Sequence, residues 1–374
     1  MDRRTPRFGR PRPEALRGVA RQLAERYADQ CVALNHVQVL GSHNSYHIEP
    51  RFDVLRLVKA FVPEAEAWEY THLPLDEQFS SQGIRQIELD VFADPEGGLY
   101  ADRQILRVFR EDPASGIPAL DAPGIKVLHV QEVDYRTTCD TLVECLATVK
   151  SWSDDHPGHL PLMILLEAKD DIIPDPLPLG FVEPLPFGSP EFRDLDEEIL
   201  SVFPPSQIIL PDDVRAGFAT LEEAVLARGW PRLGEARGRV LFALDNGSRR
   251  LDYQDGRSSL EGRVLFTNSF PGEDDAAFVK LNDPIGDADR IPELVRAGYL
   301  VRTRADGDTV QARSGDTTQR DAAIVSGAQF VSTDYPVPDP VFGTGYFVEI
   351  PSGAPGRCNP VNAPPGCRSD ALER

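Results

Sequence analysis

The apolar run Val37-Gln38-Val39-Leu40 stops at Gly41 and is followed at once by Ser42-His43-Asn44-Ser45-Tyr46-His47. Aliphatic and β-branched residues that end at a glycine and then present His, Asn and Ser read as a buried strand delivering polar groups at its C-terminal end. The pattern recurs three times. Residues 84–92 read as a second strand and hold Ile87-Glu88-Leu89-Asp90-Val91; residues 125–130 read as a third and hold His129; residues 160–167 are the most apolar run and end in Glu167. Further strands are expected at 239–244, 264–268, 300–303 and 329–333. Helical spacing appears at 75–82, 140–152, through Leu200, at 221–228, 291–297 and 317–326.

Eight strands mostly separated by helices predict an α/β fold, a (β/α)8 TIM-type barrel of one domain with long loops at its C-terminal mouth. The expected layout is a helical extension over 1–35, the barrel over 36–345 and a tail over 346–374. Polar residues at the ends of strands one to four follow the rule that barrel enzymes work at that mouth. An amphipathic helix is expected around Leu55, Val58 and Val62, and another along Leu16, Val19, Leu23 and Tyr27.

Glu88 and Asp90 stand at i and i+2 of one strand, so their side chains share a face. Two acids on an otherwise apolar strand are costly to bury unpartnered, and a cation is the economical explanation. Asn44, Glu88, Asp90 and Glu167 form an all-oxygen donor set. That set suits Ca²⁺, with Mg²⁺ as the second candidate, and leaves positions for water and substrate. His43 and His129 remain beside it as acid/base or charge-stabilising groups. Each has a plainer reading: Glu167 as a structural partner of Lys169, and a strand-end histidine as incidental. His47, His72, His156 and His159 read as surface or loop residues, with His47 the one of the four placed near the site.

A net charge of −21 argues against nucleic acid and against unaided electrostatic attraction to anionic lipid. No apolar stretch reaches the roughly 18 residues of a membrane span. The five cysteines show neither zinc-finger spacing nor a Cys-x-x-Cys motif. Cys358 and Cys367 bracket a turn-rich segment, as a short disulfide loop does. Cys139 and Cys145 can pair only if Cys139 lies in the turn leading into a helix. Two local pairs point to an oxidising compartment and leave Cys31 over. Residues 1–29 carry seven arginines by Arg21 and no central apolar block, so a secretory leader is not legible there. A processed chain, a misplaced start and an intracellular protein all fit; the cysteines favour secretion. Oligomeric state has no signature in the sequence.

His43-Asn44-Ser45-Tyr46, the Glu-Leu-Asp of strand two, the His129 strand and the Leu-Leu-Glu of strand four together resemble the catalytic half-barrel of phosphoinositide-specific phospholipase C. The similarity is strongest to the calcium-dependent bacterial secreted subgroup, and it covers roughly residues 37–335. The resemblance implies Ca²⁺-dependent cleavage of phosphatidylinositol at a membrane surface, by attack of the inositol 2-hydroxyl. Diacylglycerol leaves, and a cyclic inositol phosphate forms first. It further implies that Glu88 or Glu167 takes the hydroxyl proton, and that His129 protonates the leaving oxygen while His43 stabilises charge on phosphorus, or the two histidines exchange these roles. The headgroup-reading basic residues of eukaryotic members have no match in the sequence. A glycerophosphodiester phosphodiesterase is the nearest alternative, but that family follows its first histidine with arginine where this chain has Asn44. A non-catalytic calcium-binding barrel is the other; the full set of six polar residues weighs against it.

The proline-rich segment 171–190 follows Glu167 directly, so barrel geometry sends it to the mouth. Its Ile172, Ile173, Leu177, Leu179, Phe181, Val182, Leu185 and Phe187 are expected either to contact membrane or to pack as a cover.

Overall fold

The structure, a computed structural model, describes residues 18–351 and 353–373. Its strands are β1 Val37–Ser42, β2 Ile84–Phe92, β3 Lys126–Val127, β4 Leu162–Ala168, β5 Val240–Leu244, β6 Leu265–Thr267, β7 Phe278–Lys280, β8 Leu300–Arg304, β9 Phe330–Thr333 and β10 Gly356–Cys358. Eight of them form the parallel path β6-β5-β4-β2-β1-β9-β8-β7. A single parallel bridge from Asn268 to Phe278 joins β6 to β7 and closes the ring. The expected (β/α)8 barrel is therefore present, and helices cover its outside.

Strands of such a barrel are buried on both faces, which is why they read as continuous apolar runs instead of alternating ones. Met163 to Leu166 of β4 are wholly inaccessible. One apolar core runs from Ala28 to Leu372 and takes in both the barrel interior and the helix undersides. A second, smaller cluster at the mouth packs Val54, Ile105, Leu106 and Val133 against Leu57, Val58, Trp68, Ile173 and Phe181.

The third strand differs from expectation. Only Lys126–Val127 is extended, and it pairs antiparallel with Phe92 and Val91 at the end of β2, outside the ring. Buried Lys126 reaches Asp94 at 3.3 Å, tying this short hairpin to the strand beside it. His129 thus sits on an irregular segment beyond the sheet. The ring recovers its eighth member from β7, three residues between acidic turns for which no strand was expected.

Most helices fall within three residues of their expected limits, among them Leu75–Ser81, Leu142–Asp155 and Arg290–Ala297. Of the N-terminal helix, Val19–Cys31 is observed, and Leu16 lies outside the described residues. Both disulfides form, Cys139–Cys145 and Cys358–Cys367, leaving Cys31 free. Cys139 lies in the turn ahead of the Thr141 cap, as its spacing required. The tail returns to the barrel floor, where β10 pairs antiparallel with the first half of β1. Among the described residues no helix is long and apolar enough to cross a membrane.

Candidate active site

Register brings the acids together. Asp90 of β2 pairs with Glu167 of β4, and Glu88 lies two residues back on the same face. Carboxylate oxygens of Glu88, Asp90 and Glu167 lie within 4.8 Å of one another. Beside them, β1 shifts register against β2 between Leu40 and Gly41. A side chain at Gly41 would overlap Gln86, so the irregularity needs glycine there. Such shifts re-aim the residues that follow. The next turn places Asn44 in the left-handed region (φ 44°), which asparagine tolerates. Ser45 then clamps it, its N–H donating to the Glu88 carbonyl and its Oγ accepting from the Glu88 N–H, both at 2.9 Å.

The residues present fit a hard cation. Asn44 Oδ1 and both carboxylate oxygens of Asp90 are buried without a hydrogen-bond partner, and orphaned buried oxygens are expensive. Lys169 compensates only in part, its ammonium standing 3.5 Å from both Asp90 and Glu167. Glu88 is gripped by the Arg302 guanidinium. Burial, opposed by Arg302 and reinforced by Asp245 and Glu167, pushes Glu88 up to about 7. Burial likewise raises Asp90 well above the carboxylate range against the pull of Lys169. A divalent ion would relieve both.

Two imidazoles flank the acids, each held by a carboxylate. His43, 18% exposed, places Nδ1 2.8 Å from Asp334 Oδ1 and Nε2 3.9 Å from Glu88. Arg304 binds the other oxygen of Asp334 at 2.9 Å and stands 3.5 Å from His43 Nε2. These partners assign the proton to Nδ1 and leave Nε2 an acceptor. Burial first, then Arg304, lowers His43 to about 3 against the upward pull of Asp334. Asp334 itself is pushed up by burial but held well below its usual range by His43 and Arg304.

His129 donates from Nδ1 to Asp134 Oδ2 at 2.6 Å, leaving Nε2 toward the mouth. Burial lowers it and Asp134 opposes. His47, expected in a surface or loop position near the site, is fully buried behind this pair: Nε2 lies 2.9 Å from both Asp134 oxygens and Nδ1 donates to the Tyr70 carbonyl at 3.1 Å. His72 and His159 are buried too, bonding the His43 carbonyl and Ser153 respectively, while His156 stays exposed. All four lie in loops, as expected, but three are buried: His47 and His72 are covered at the mouth by neighbouring loops, and His159 at the floor, where the tail packs.

All six expected site residues, His43, Asn44, Glu88, Asp90, His129 and Glu167, meet at one mouth. The sequence gives no site role to Asp134, Asp334, Arg302, Arg304 or the Lys280–Asp245 pair, and it offers Lys169 only as a structural partner of Glu167, a contact that is present at 3.5 Å. Arg302 and Arg304 carry the same i, i+2 signal as Glu88 and Asp90, and Asp334 ends a strand as Glu167 does. Asp134 had no signal.

A parallel barrel whose mouth joins an acidic cation site to two carboxylate-oriented histidines defines a phosphodiester-cleaving barrel enzyme. The family profile described as phosphoinositide phospholipase C, Ca²⁺-dependent, matches residues 32–360, and the chain belongs to that family. It is similar in fold to the calcium-dependent phosphoinositol-specific phospholipase C of a Gram-negative Pseudomonas sp, in its apo form and in a myoinositol complex. Each comparison gives TM-score 0.52 and 17% identity over 88% of this chain and 96% of that one. It is also similar to the Ca²⁺-dependent phosphatidylinositol-specific phospholipase C of Streptomyces antibioticus, with TM-score 0.50 and 16% identity over 83% of this chain and 96% of that one. No curated protein matches the chain.

Proposed function

We propose that the chain cleaves phosphatidylinositol at a membrane surface outside the cytoplasm, with calcium held by Asn44, Glu88, Asp90 and Glu167. The observation that carries this reading is the convergence of the orphaned oxygens of Asn44 and Asp90 with two His–Asp pairs at one mouth. When bound, calcium would supply Lewis-acid charge to the phosphoryl oxygen and the attacking hydroxyl.

His43 Nε2, kept free by the Nδ1–Asp334 bond, takes the proton of the inositol 2-hydroxyl. Glu88 is a poorer base than the sequence suggested, because Arg302 already occupies it. Glu167, bonded to Lys169, serves as a ligand. His129 Nε2 delivers a proton to the departing glycerol oxygen, and Asp134 supports its charged form. Arg304 and Lys169 add positive charge around the phosphorus, and the Lys280–Asp245 pair offers a donor and acceptors to inositol hydroxyls.

Phe61, Ile172, Leu177, Phe270, Ile285 and Val341 are exposed on segments that follow strand C-termini, so they ring the mouth. They give a chain of net charge −21 a non-electrostatic hold on lipid. Two disulfides support secretion. Phosphorus NMR of a phosphatidylinositol digest, with chromatography of the extracted lipid, tests the reading: a cyclic inositol phosphate in the first and diacylglycerol in the second are expected with Ca²⁺, and neither with excess chelator. Release of glycerol phosphate, or full turnover in chelator, would refute it.

A further inference from the structure

A cavity of about 460 Å³ opens at the mouth beside His129, and every residue lining it is apolar. The helix Phe52–Lys59 contributes Leu57 and Val58, and the turn that carries His129 contributes Val130. The segment after β4 contributes Ile173 and Phe181, and Trp68 forms the wall toward the active site. The Trp68 ring meets the His129 imidazole edge-on at 5.7 Å between centroids. Phe61 and Val62 are exposed at its lip, as is Leu177. The volume is that of a small-molecule site, and the lining offers water almost no hydrogen-bond partner.

We infer that this cavity binds the acyl-bearing glyceride part of the substrate, withdrawing part of the lipid from the bilayer before cleavage; this rests on the phosphoinositide reading above. Continuity with the active site selects the occupant. The oxygen that receives a proton from His129 is the one bonded to the glyceride, so the leaving group must extend from phosphorus past His129, where Trp68 and Val130 begin the cavity. The anionic surface rules out holding it by charge, and an apolar chain is what an apolar cavity stabilises. Each methylene moved from water into such a site is worth roughly a fourfold gain in affinity. Because that gain is equal in ground and transition states, it appears in KM and not in kcat.

The test compares the wild-type enzyme with calcium on methyl inositol phosphate and on dibutanoyl and dihexanoyl phosphatidylinositol, all below micelle-forming concentrations. KM should fall by about tenfold or more between the two lipids, with kcat unchanged. Val58→Phe, which fills the cavity, should bring the ratio of their kcat/KM values toward one. Equal kcat/KM for both lipids in the wild type would overturn the inference, as would a chain-length gain that survives in a folded Val58→Phe. Binding is read separately by titrating dihexanoylglycerol into calcium-free enzyme. Trp68 lines the cavity while Trp152 and Trp230 are buried, so a blue shift of emission that disappears in Trp68→Phe is expected. No shift at saturating glyceride would sink the cavity assignment. A shift without turnover of any inositol phosphodiester would sustain the cavity and remove the proposed activity instead.

Discussion

Asp134 Oδ2 accepts the Nδ1–H of His129 at 2.6 Å, and the same carboxylate lies 2.9 Å from Nε2 of buried His47. Nδ1 of His47 donates to the Tyr70 carbonyl at 3.1 Å, so the ring is pinned at both nitrogens. Asp134 is thereby fixed from behind, and His129 is aimed by a group that cannot swing. Asp134→Asn should lower kcat by roughly two to four powers of ten. It should also move the alkaline limb of the pH–rate profile downward, since Asp134 opposes the burial that lowers His129. A folded variant with both quantities unchanged would remove Asp134 from the mechanism.

Asp90→Asn removes charge from a site whose affinity depends on charge count, and calcium binding should weaken roughly tenfold or more. Titration calorimetry measures this directly, and added calcium should recover part of the turnover. His43→Ala should not be rescued by calcium. Rescue of both alike would dissolve the distinction between ligand and base.

Opening the Cys358–Cys367 loop, nine residues apart, should cost about 2–3 kcal/mol by loss of the constraint on the unfolded chain. The double Cys→Ala variant should show that loss as a lower urea midpoint. An unchanged midpoint would mean that β10 pairing with β1 holds the tail unaided.

Acid should destabilise the fold through His159. Burial lowers it to about 4 from 6.5, against the help of the Leu160 carbonyl. Between those values the unfolded chain binds a proton that the folded chain refuses. Stability is therefore complete above pH 6.5 and falls as pH drops toward 4, by about 3 kcal/mol for this group. His159→Gln should flatten the urea-midpoint curve across that window; an unaltered curve would rule His159 out as its cause.

Ile172 and Leu177 are exposed, whereas Phe187 is wholly buried in the main core. Ile172→Ser with Leu177→Ser should reduce turnover on vesicles much more than on a soluble inositol phosphodiester. Phe187→Ser should instead cost about 3 kcal/mol or more of stability. Equal losses on both substrates for the exposed pair would mark the segment as structural.

The barrel was legible because a doubly covered strand must be apolar throughout, and β1, β2, β4, β5, β8 and β9 are long enough to display it. β6 and β7 have three residues each; β6 shows in the run Val264-Leu265-Phe266, whereas no strand was expected at β7. The ligand acids were legible because strand pairing converts an i, i+2 spacing into a shared face. The second partners were not. Asp134 reaches His129 through a turn whose path depends on β3 folding back on β2, a tertiary fact with no local period. The membrane segment was half legible: proline spacing excluded regular structure, but only packing decides that Phe187 turns inward and Ile172 outward.

The ring closes unevenly. β2 and β4 are stitched by six registered pairs, whereas β6 and β7 share one bridge, backed by the Asn268 side-chain amide accepting the Lys280 N–H at 3.0 Å. This seam lies across the barrel from the β1–β2 edge that carries His43 and Glu88. Thermal opening of the cylinder should therefore begin there, with amides of β7 exchanging with deuterium ahead of those in β2 and β4. The molecule can breathe at this seam while the β1–β2 register that carries His43 and Glu88 holds.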